Sequence, residues 1–258
     1  MMPRPARLLA LTFSCLLTMA HAETLRFGMD LNYPPFSSIS AGGKPQGFDV
    51  DIAYALCREM KVDCLIVSQD WDGLIPALKA GKFDAILSSM QITRERKQLV
   101  DFSDRYYKIP SRLIAREGSV QPPRKLTGWR VGVLTASTQA RFAEANWARQ
   151  GAEVAGYRKI TQAFDALAQG KLDAVFVDSA VGDYAFLQKP QGKGFAFVGP
   201  EYRQSEYFGE GTGIAVRKGD LALATRLNRA IASLRTSGQY RQIERSYFGF
   251  DLYGKDSH

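Results

Sequence analysis

The sequence predicts an α/β fold divided between two lobes of similar topology. Two observations point there. Short apolar runs of strand length alternate with stretches whose apolar residues recur at helical spacing, as when helices cross over between largely parallel strands. One segment also echoes another: LKAGKFDAILSS (78–89) and LAQGKLDAVFVD (167–178) share Leu, Gly, Lys, Asp and Ala in register. A weaker echo links LRFGM (25–29) with WRVGV (129–133) through Arg and Gly. Two lobes of one topology produce such echoes, and so does convergence on a common helix-turn-strand grammar.

The elements follow in order. LRFGM (25–29) is a strand, and Pro34 and Pro35 turn the chain after it. Phe48 to Met60 is a helix, with Ile52, Ala55, Leu56 and Met60 at helical spacing. CLIV (64–67) is a strand, GLIPALKAG (73–81) a short helix ending at a glycine, and FDAILSS (83–89) another strand. A second series opens with RVGVL (130–134), continues through a helix over 138–150 and the stretch FDALAQGK, and reaches the strand LDAVFVD. TGIAVRK (212–218) is a further strand, and helices near 220–237 and 238–248 close the chain.

The 258 residues, 45% hydrophobic and 23% charged, are globular in character and allow one large domain or two small ones. The first 22 stand apart. Arg4 and Arg7 precede the apolar run LLALTFSCLLTMA (8–20), and Ala20-His21-Ala22 fits a small-x-small cleavage site. That is a secretory signal, with the mature chain expected to begin near Glu23 and to be exported. Thr12-Phe13-Ser14 before Cys15 fits a lipobox poorly. No other segment approaches the roughly 18 apolar residues of a membrane span.

Removing the signal removes two arginines and no acid, so the net charge of +8 becomes +6. The positive residues are scattered, with no basic run interleaved with aromatics, which argues against nucleic acid. Cys57 and Cys64 remain, and two cysteines in an exported protein read as one disulfide, with two free thiols as the alternative. The one histidine left, His258, is at the extreme C-terminus. Triads, HExxH motifs and His-rich metal sites need an imidazole inside the fold, so no catalytic set, metal or cofactor is expected.

In open α/β sheets, ligands sit outside the carboxyl ends of the strands. The echoes place Ser89 and Asp178 at equivalent strand ends, and Asp30 follows the first strand. LTAST (134–138) is a turn into a helix whose exposed N–H groups favour an anion. If the lobes face each other, the cleft suits a small zwitterion with an extra positive charge. The segment SSMQITRERKQLVDFSDRYY (88–107) carries an arginine cluster that either coats a solvated helix or aims one guanidinium at that ligand.

YPPF (33–36), GFDVDIA (47–53), WDGLIPALKAGKFDAI (71–86), SSMQITRER (88–96), the RVGVL turn, DAVFVD and YFGFDLYG (247–254) together resemble the periplasmic solute-binding proteins for polar amino acids. The likeness is above all to the lysine/arginine/ornithine- and histidine-binding proteins, and runs from about Leu25 to Tyr253. It implies a two-lobed clamshell of the type II periplasmic binding proteins, each lobe a mainly parallel sheet flanked by helices. Lobe 1 would comprise 23–108 and 206–258 and lobe 2 109–205, with hinges near 108–111 and 204–211. It further implies a monomer that traps an amino acid on closing and hands it to an inner-membrane ABC permease.

The resemblance also assigns roles. Arg96 grips the ligand α-carboxylate, since a guanidinium fork matches a carboxylate bidentately, while Arg94, Glu95 and Lys97 are solvated. Backbone N–H groups around Ser137 and Thr138, with the Thr138 hydroxyl, complete that site. Asp178 takes the α-ammonium with Ser89. Tyr33 and Trp71 are aromatic walls around the side chain, and a cationic head gains about 0.5–2 kcal/mol from them. Asp30 holds the distal charge of a basic ligand with Ser88, assisted by Gln139. Gln91 replaces a serine that helps hold the α-ammonium. It either does so through its carbonyl oxygen or shortens the pocket, so a neutral or opine-like ligand stays open. The same clamshell can also serve as a dehydratase or a ligand-presenting sensor, but Arg96 with Asp178 describes zwitterion capture better than acid/base chemistry.

Overall fold

The structure, a computed structural model, describes residues 23–119 and 126–254. The expected signal segment, Cys15, His21 and His258 lie outside these residues. From the N-terminus the elements are β1 (Thr24–Met29), β2 (Asn32–Tyr33), β3 (Ser37–Ile39), β4 (Pro45–Gln46), α1 (Phe48–Met60), β5 (Asp63–Ser68), α2 (Leu74–Lys79), β6 (Ala85–Ile86), α3 (Arg94–Leu99) and β7 (Val100–Tyr107). Then come β8 (Ser111–Arg116), β9 (Arg130–Leu134), α4 (Thr138–Asn146), β10 (Glu153–Tyr157), α5 (Ile160–Ala168), β11 (Ala174–Asp178), α6 (Ser179–Gly182), β12 (Phe195–Tyr202) and α7 (Ser205–Phe208). The chain closes with β13 (Thr212–Arg217), α8 (Leu221–Thr236) and α9 (Gln239–Arg245).

Two five-stranded sheets result, ordered β5-β1-β6-β13-β7 and β10-β9-β11-β8-β12, with β2, β3 and β4 as a small third sheet. In each large sheet a single strand, β13 or β8, runs against its neighbours. Both follow a passage of the chain from one sheet to the other, through 108–110 and through 203–211. The fold is therefore a two-lobed α/β clamshell with two connecting segments. β13 is the strand expected at 212–218, although not its direction, whereas β8, the strands β7 and β12 and the edge strand β10 were not anticipated from the apolar pattern.

The two echoes in the sequence are one structural unit seen twice. Arg26 on β1 meets Asp84 just before β6: its backbone N–H and Nε donate to Oδ2, each at 3.0 Å, and Nη2 to Oδ1 at 2.8 Å. Arg130 on β9 meets Asp173 before β11 in the same way, at 2.8, 3.1 and 3.1 Å. The registers agree too, Phe27 opposite Ala85 and Val131 opposite Ala174. The glycines have the same cause. A Cβ on Gly28 would stand 2.4 Å from the Phe83 ring, and one on Gly132 2.4 Å from Leu172 Cδ1.

Helix α1 begins and ends where the periodicity places it. Asp49 and Asp51 lie in its first turn and Arg58 in its last, with the helix dipole, and Lys61 closes it in the left-handed region at φ 56°. Its buried face packs into an aromatic cluster in which Phe36 stacks on Tyr107 at 4.8 Å. Two expectations need correction. The strand over 83–89 shortens to β6, because the chain leaves the sheet toward Ser89, itself at φ 51°. The helix over 138–150 is α4 followed by a tighter turn, Ala148–Gln150, ended by Gly151 at φ 91°. Cys57 and Cys64 form the disulfide, with Cα atoms 5.7 Å apart, joining the end of α1 to β5.

Candidate functional site

The carboxyl ends of β1, β6, β9 and β11 converge between the sheets. An enclosed cavity there is lined by Asp30, Tyr33, Trp71, Ser88, Ser89, Gln91, Leu134, Ser137 and Gln139. Asp30 is fixed at one end. Its N–H donates to Ser88 Oγ at 3.0 Å, and its carbonyl accepts from Ser37 Oγ at 2.7 Å. Oδ1 accepts from the backbone and side-chain N–H groups of Asn32, at 3.1 and 2.8 Å. One carboxylate oxygen thus closes the turn after β1. The other takes no hydrogen bond among the described residues. Burial holds the carboxyl above the usual carboxylate range, against the opposing pull of Asn32.

Asp178 ends β11 and is buried. It accepts from Gln139 Nε2 at 2.7 Å, Tyr33 Oη at 2.9 Å, Gln91 Nε2 at 3.1 Å and Ser111 Oγ at 3.3 Å. Tyr33 and Gln91 belong to the first lobe, Ser111 and Gln139 to the second. Burial pushes the carboxyl up to about 6 although these donors and Arg96 pull it down.

Arg96 sits in the first turn of α3, which Thr93 caps by accepting the Arg96 N–H at 3.3 Å. Nη1 donates to the Gln91 carbonyl at 3.1 Å and to Gln91 Oε1 at 3.2 Å, and Nη2 reaches the Ala136 carbonyl of the other lobe at 3.5 Å. The guanidinium lies 5.0 Å from the centre of the Trp71 ring. Burial first, and then repulsion from Arg141, bring it down to about 10. Its neighbours Arg94, Glu95 and Lys97 are exposed. Glu95 nonetheless pairs with Arg141 on α4, and Lys97 with Glu210 at 3.0 Å.

Opposite Arg96, the β9–α4 turn passes through Ala136 at φ 57°, and Ser137 Oγ caps α4 by accepting from the Ala140 N–H at 3.0 Å. The Ser137 N–H itself donates to Leu134 at 3.2 Å, so the N–H groups that α4 turns toward a ligand begin at Thr138. The Thr138 hydroxyl donates to Gln139 Oε1 at 3.2 Å.

Asp30 and Ser88 line the cavity, and Arg96 and Asp178 adjoin it through Gln91, to which both are bonded. Others differ in detail. Gln139 was expected beside Asp30, but its amide bonds Asp178 and, at 2.9 Å, Ser111. Ser89 lines the cavity, yet its hydroxyl and N–H donate to Asp49, at 3.0 and 2.8 Å, rather than toward Asp178. Tyr33 and Trp71 both line the cavity, the phenol donating to Asp178 and the indole lying 5.0 Å from the Arg96 guanidinium. Gln91 uses both ends of its amide, one on Arg96 and one on Asp178. Asp49 and Ser111 were missed, and Leu134 and Ala136 were named only as part of the LTAST turn. Asp49 also accepts from Tyr106 Oη at 2.9 Å, and burial lifts it to about 7. Nothing in GFDVDIA distinguishes it from Asp51, which accepts from Tyr247 at a half-buried position.

Two carboxyls pushed up and a guanidinium pushed down are charges raised in energy by desolvation. A ligand with an anion beside Arg96 and cations beside Asp178 and Asp30 relieves all three. No group of three or more metal-binding side chains gathers among the described residues.

Known proteins resemble the chain over nearly its whole length. The L-arginine-binding protein of Pseudomonas aeruginosa is 50% identical over 250 residues, 96% of each chain. The lysine/arginine/ornithine-binding periplasmic protein of Escherichia coli is 44% identical over 234 residues, 90% of each. A solved Salmonella typhimurium periplasmic binding protein of high arginine specificity matches with a TM-score of 0.81 at 33% identity, over 88% of this chain and all of that one. These relatives are binding proteins, not enzymes. Residues 25–250 fit the family model of the bacterial extracellular solute-binding proteins, family 3, and with the two-lobed fold this makes the chain a member of that family, a binding protein rather than an enzyme.

Proposed function

We propose that the protein binds a basic amino acid, arginine, lysine, ornithine or histidine, between its two lobes and delivers it to an inner-membrane ABC permease. The observation that carries this is the placement of charge around one cavity: Gln91 in its lining bonds both Arg96 and Asp178, a cation for the α-carboxylate and an anion for the α-ammonium, and Asp30 in the same lining keeps a second oxygen for a distal cation. The lobes are 23–108 with 206–258, and 109–205, moving about 108–111 and 204–211. The chain works as a monomer in the periplasm, exported by residues 1–22. The names of its relatives support both the ligand class and the compartment.

Calorimetric titration of the mature protein with the twenty amino acids, ornithine and citrulline tests the ligand. Arginine, lysine, ornithine or histidine should bind most tightly, and tightest binding of glutamate or a neutral amino acid would overturn the assignment. Loss of radiolabelled arginine uptake on deleting the gene separates import from sensing.

A further inference from the structure

Arg96 and Asp178 do not touch each other. They are joined through the side chain of Gln91, whose carbonyl oxygen accepts from Arg96 Nη1 at 3.2 Å and whose Nε2 donates to Asp178 at 3.1 Å. The polarity is that of an amino acid: acceptor toward the guanidinium, donor toward the carboxylate. We infer that Gln91 is an internal stand-in for the ligand's zwitterion, competing with the α-carboxylate for Arg96 and with the α-ammonium for Asp178, and holding the lobes together when no ligand is bound. This rests on the amino-acid-binding function proposed above and adds a regulation of the same site.

The backbone leaves the side chain free for that role. Gln91 pairs with Thr212, the Ile92 N–H donates to Gly211 at 2.8 Å, and the Gln91 carbonyl independently accepts from Arg96. The loop therefore keeps its path without the amide. Asp178 keeps Tyr33, Ser111 and Gln139 if Gln91 is shortened, so no buried carboxylate is orphaned. Because every amino acid carries the same α-groups, the competition is the same for all of them. It lowers affinity by a common factor and leaves the choice of side chain to Asp30. It also acts across the cleft, since Gln91 is in the first lobe and Asp178 in the second.

The test uses wild type, Gln91→Ser, too short to span the two partners, and Gln91→Met, of similar length without the amide. Small-angle scattering without ligand should give a larger radius of gyration for both variants than for wild type, and arginine should bring all three to the same value. Calorimetry should show Gln91→Ser binding arginine and citrulline more tightly by one common factor of about ten, the equivalent of a charge-assisted hydrogen bond no longer displaced. Equal scattering of unliganded wild type and Gln91→Ser, or weaker arginine binding by Gln91→Ser, overturns the inference; the latter makes Gln91 a ligand contact. If wild type binds no amino acid while the scattering differences appear, the ligand assignment fails and the Gln91 bridge between the lobes stands.

Discussion

Tyr33 and Asp178 lie 145 residues apart, on different lobes, and the phenol of one donates to the carboxylate of the other across 2.9 Å. With Gln139 of its own lobe and Gln91 of the other, Asp178 is the carboxylate on which the two halves of the molecule converge. Surface ion pairs also run between the lobes, Glu95 with Arg141 and Asp70 with Arg158, but exposed pairs contribute little. Closure is therefore sensitive to what happens at Asp178.

The first expectation is a pH dependence. Asp178 must be ionised to hold an α-ammonium, and burial holds its carboxyl up at about 6. Affinity should be flat above about pH 7 and fall about tenfold per unit well below 6, as protons compete with ligand. The stability effect has the opposite sense. A raised carboxyl favours the folded state most below the ordinary carboxylate range, and that contribution is lost as pH rises through 6. Tyr33→Phe removes a donor that lowers Asp178, so the fall in affinity should begin at higher pH. Calorimetry from pH 5 to 8 checks this, and a profile unchanged by Tyr33→Phe contradicts it.

Arg96→Ala should weaken binding of every amino acid by about 2–5 kcal/mol, the loss typical of removing one partner from a buried charge pair. Arg94→Ala should leave affinity nearly unchanged, because Arg94 is exposed beside it. Comparable losses from the two would mean that the cluster has been assigned the wrong way round.

The repeated strand unit gives a stability test. Gly28→Ala drives a methyl into the fully buried Phe83 ring, which has no room to yield, and should cost about 1–3 kcal/mol in denaturant unfolding. Gly132→Ala meets chiefly the end of Leu172, a side chain that can change rotamer, with Ala163 and Val175 at 3.3 and 3.4 Å, and should cost less. A larger loss at Gly132 would contradict the packing described.

Reduction of Cys57–Cys64 should lower the melting temperature more than the affinity. The bridge closes a loop of sequence separation 7 and is absent from the cavity lining. The chain-entropy model puts a loop of that size at about 2–3 kcal/mol. Two thiols titrating in native, non-reducing conditions would refute the bridge.

Much of this was legible in the sequence because the unit that positions the site is local and repeated. Arg26, Gly28, Phe83 and Asp84 recur as Arg130, Gly132, Leu172 and Asp173, each residue demanded by a contact with another of its set. The strand ends they define carry Asp30 and Asp178. What was not legible depends on chain passages that no periodicity records. β8 and β13 run against their neighbours only because the chain arrives from the other lobe. Gln139 bonds Asp178 rather than reaching Asp30 because β8 brings Ser111 beside both. Ser89 turns to Asp49 because α1 packs behind the loop, a contact spanning 40 residues.

The central claim is that Asp30 reads a distal positive charge on the ligand. Its Oδ1 already closes the turn with Asn32, so Asp30→Asn keeps a carbonyl oxygen for that bond while removing the charge. Calorimetric titration of wild type and Asp30→Asn with arginine and with citrulline, which differ in charge but little in shape, tests this most directly. The expected result is a roughly ten- to hundredfold loss for arginine, the worth of a charge-assisted contact, and a change of less than about threefold for citrulline. Equal changes for the two ligands would contradict it and leave Asp30 with the turn alone.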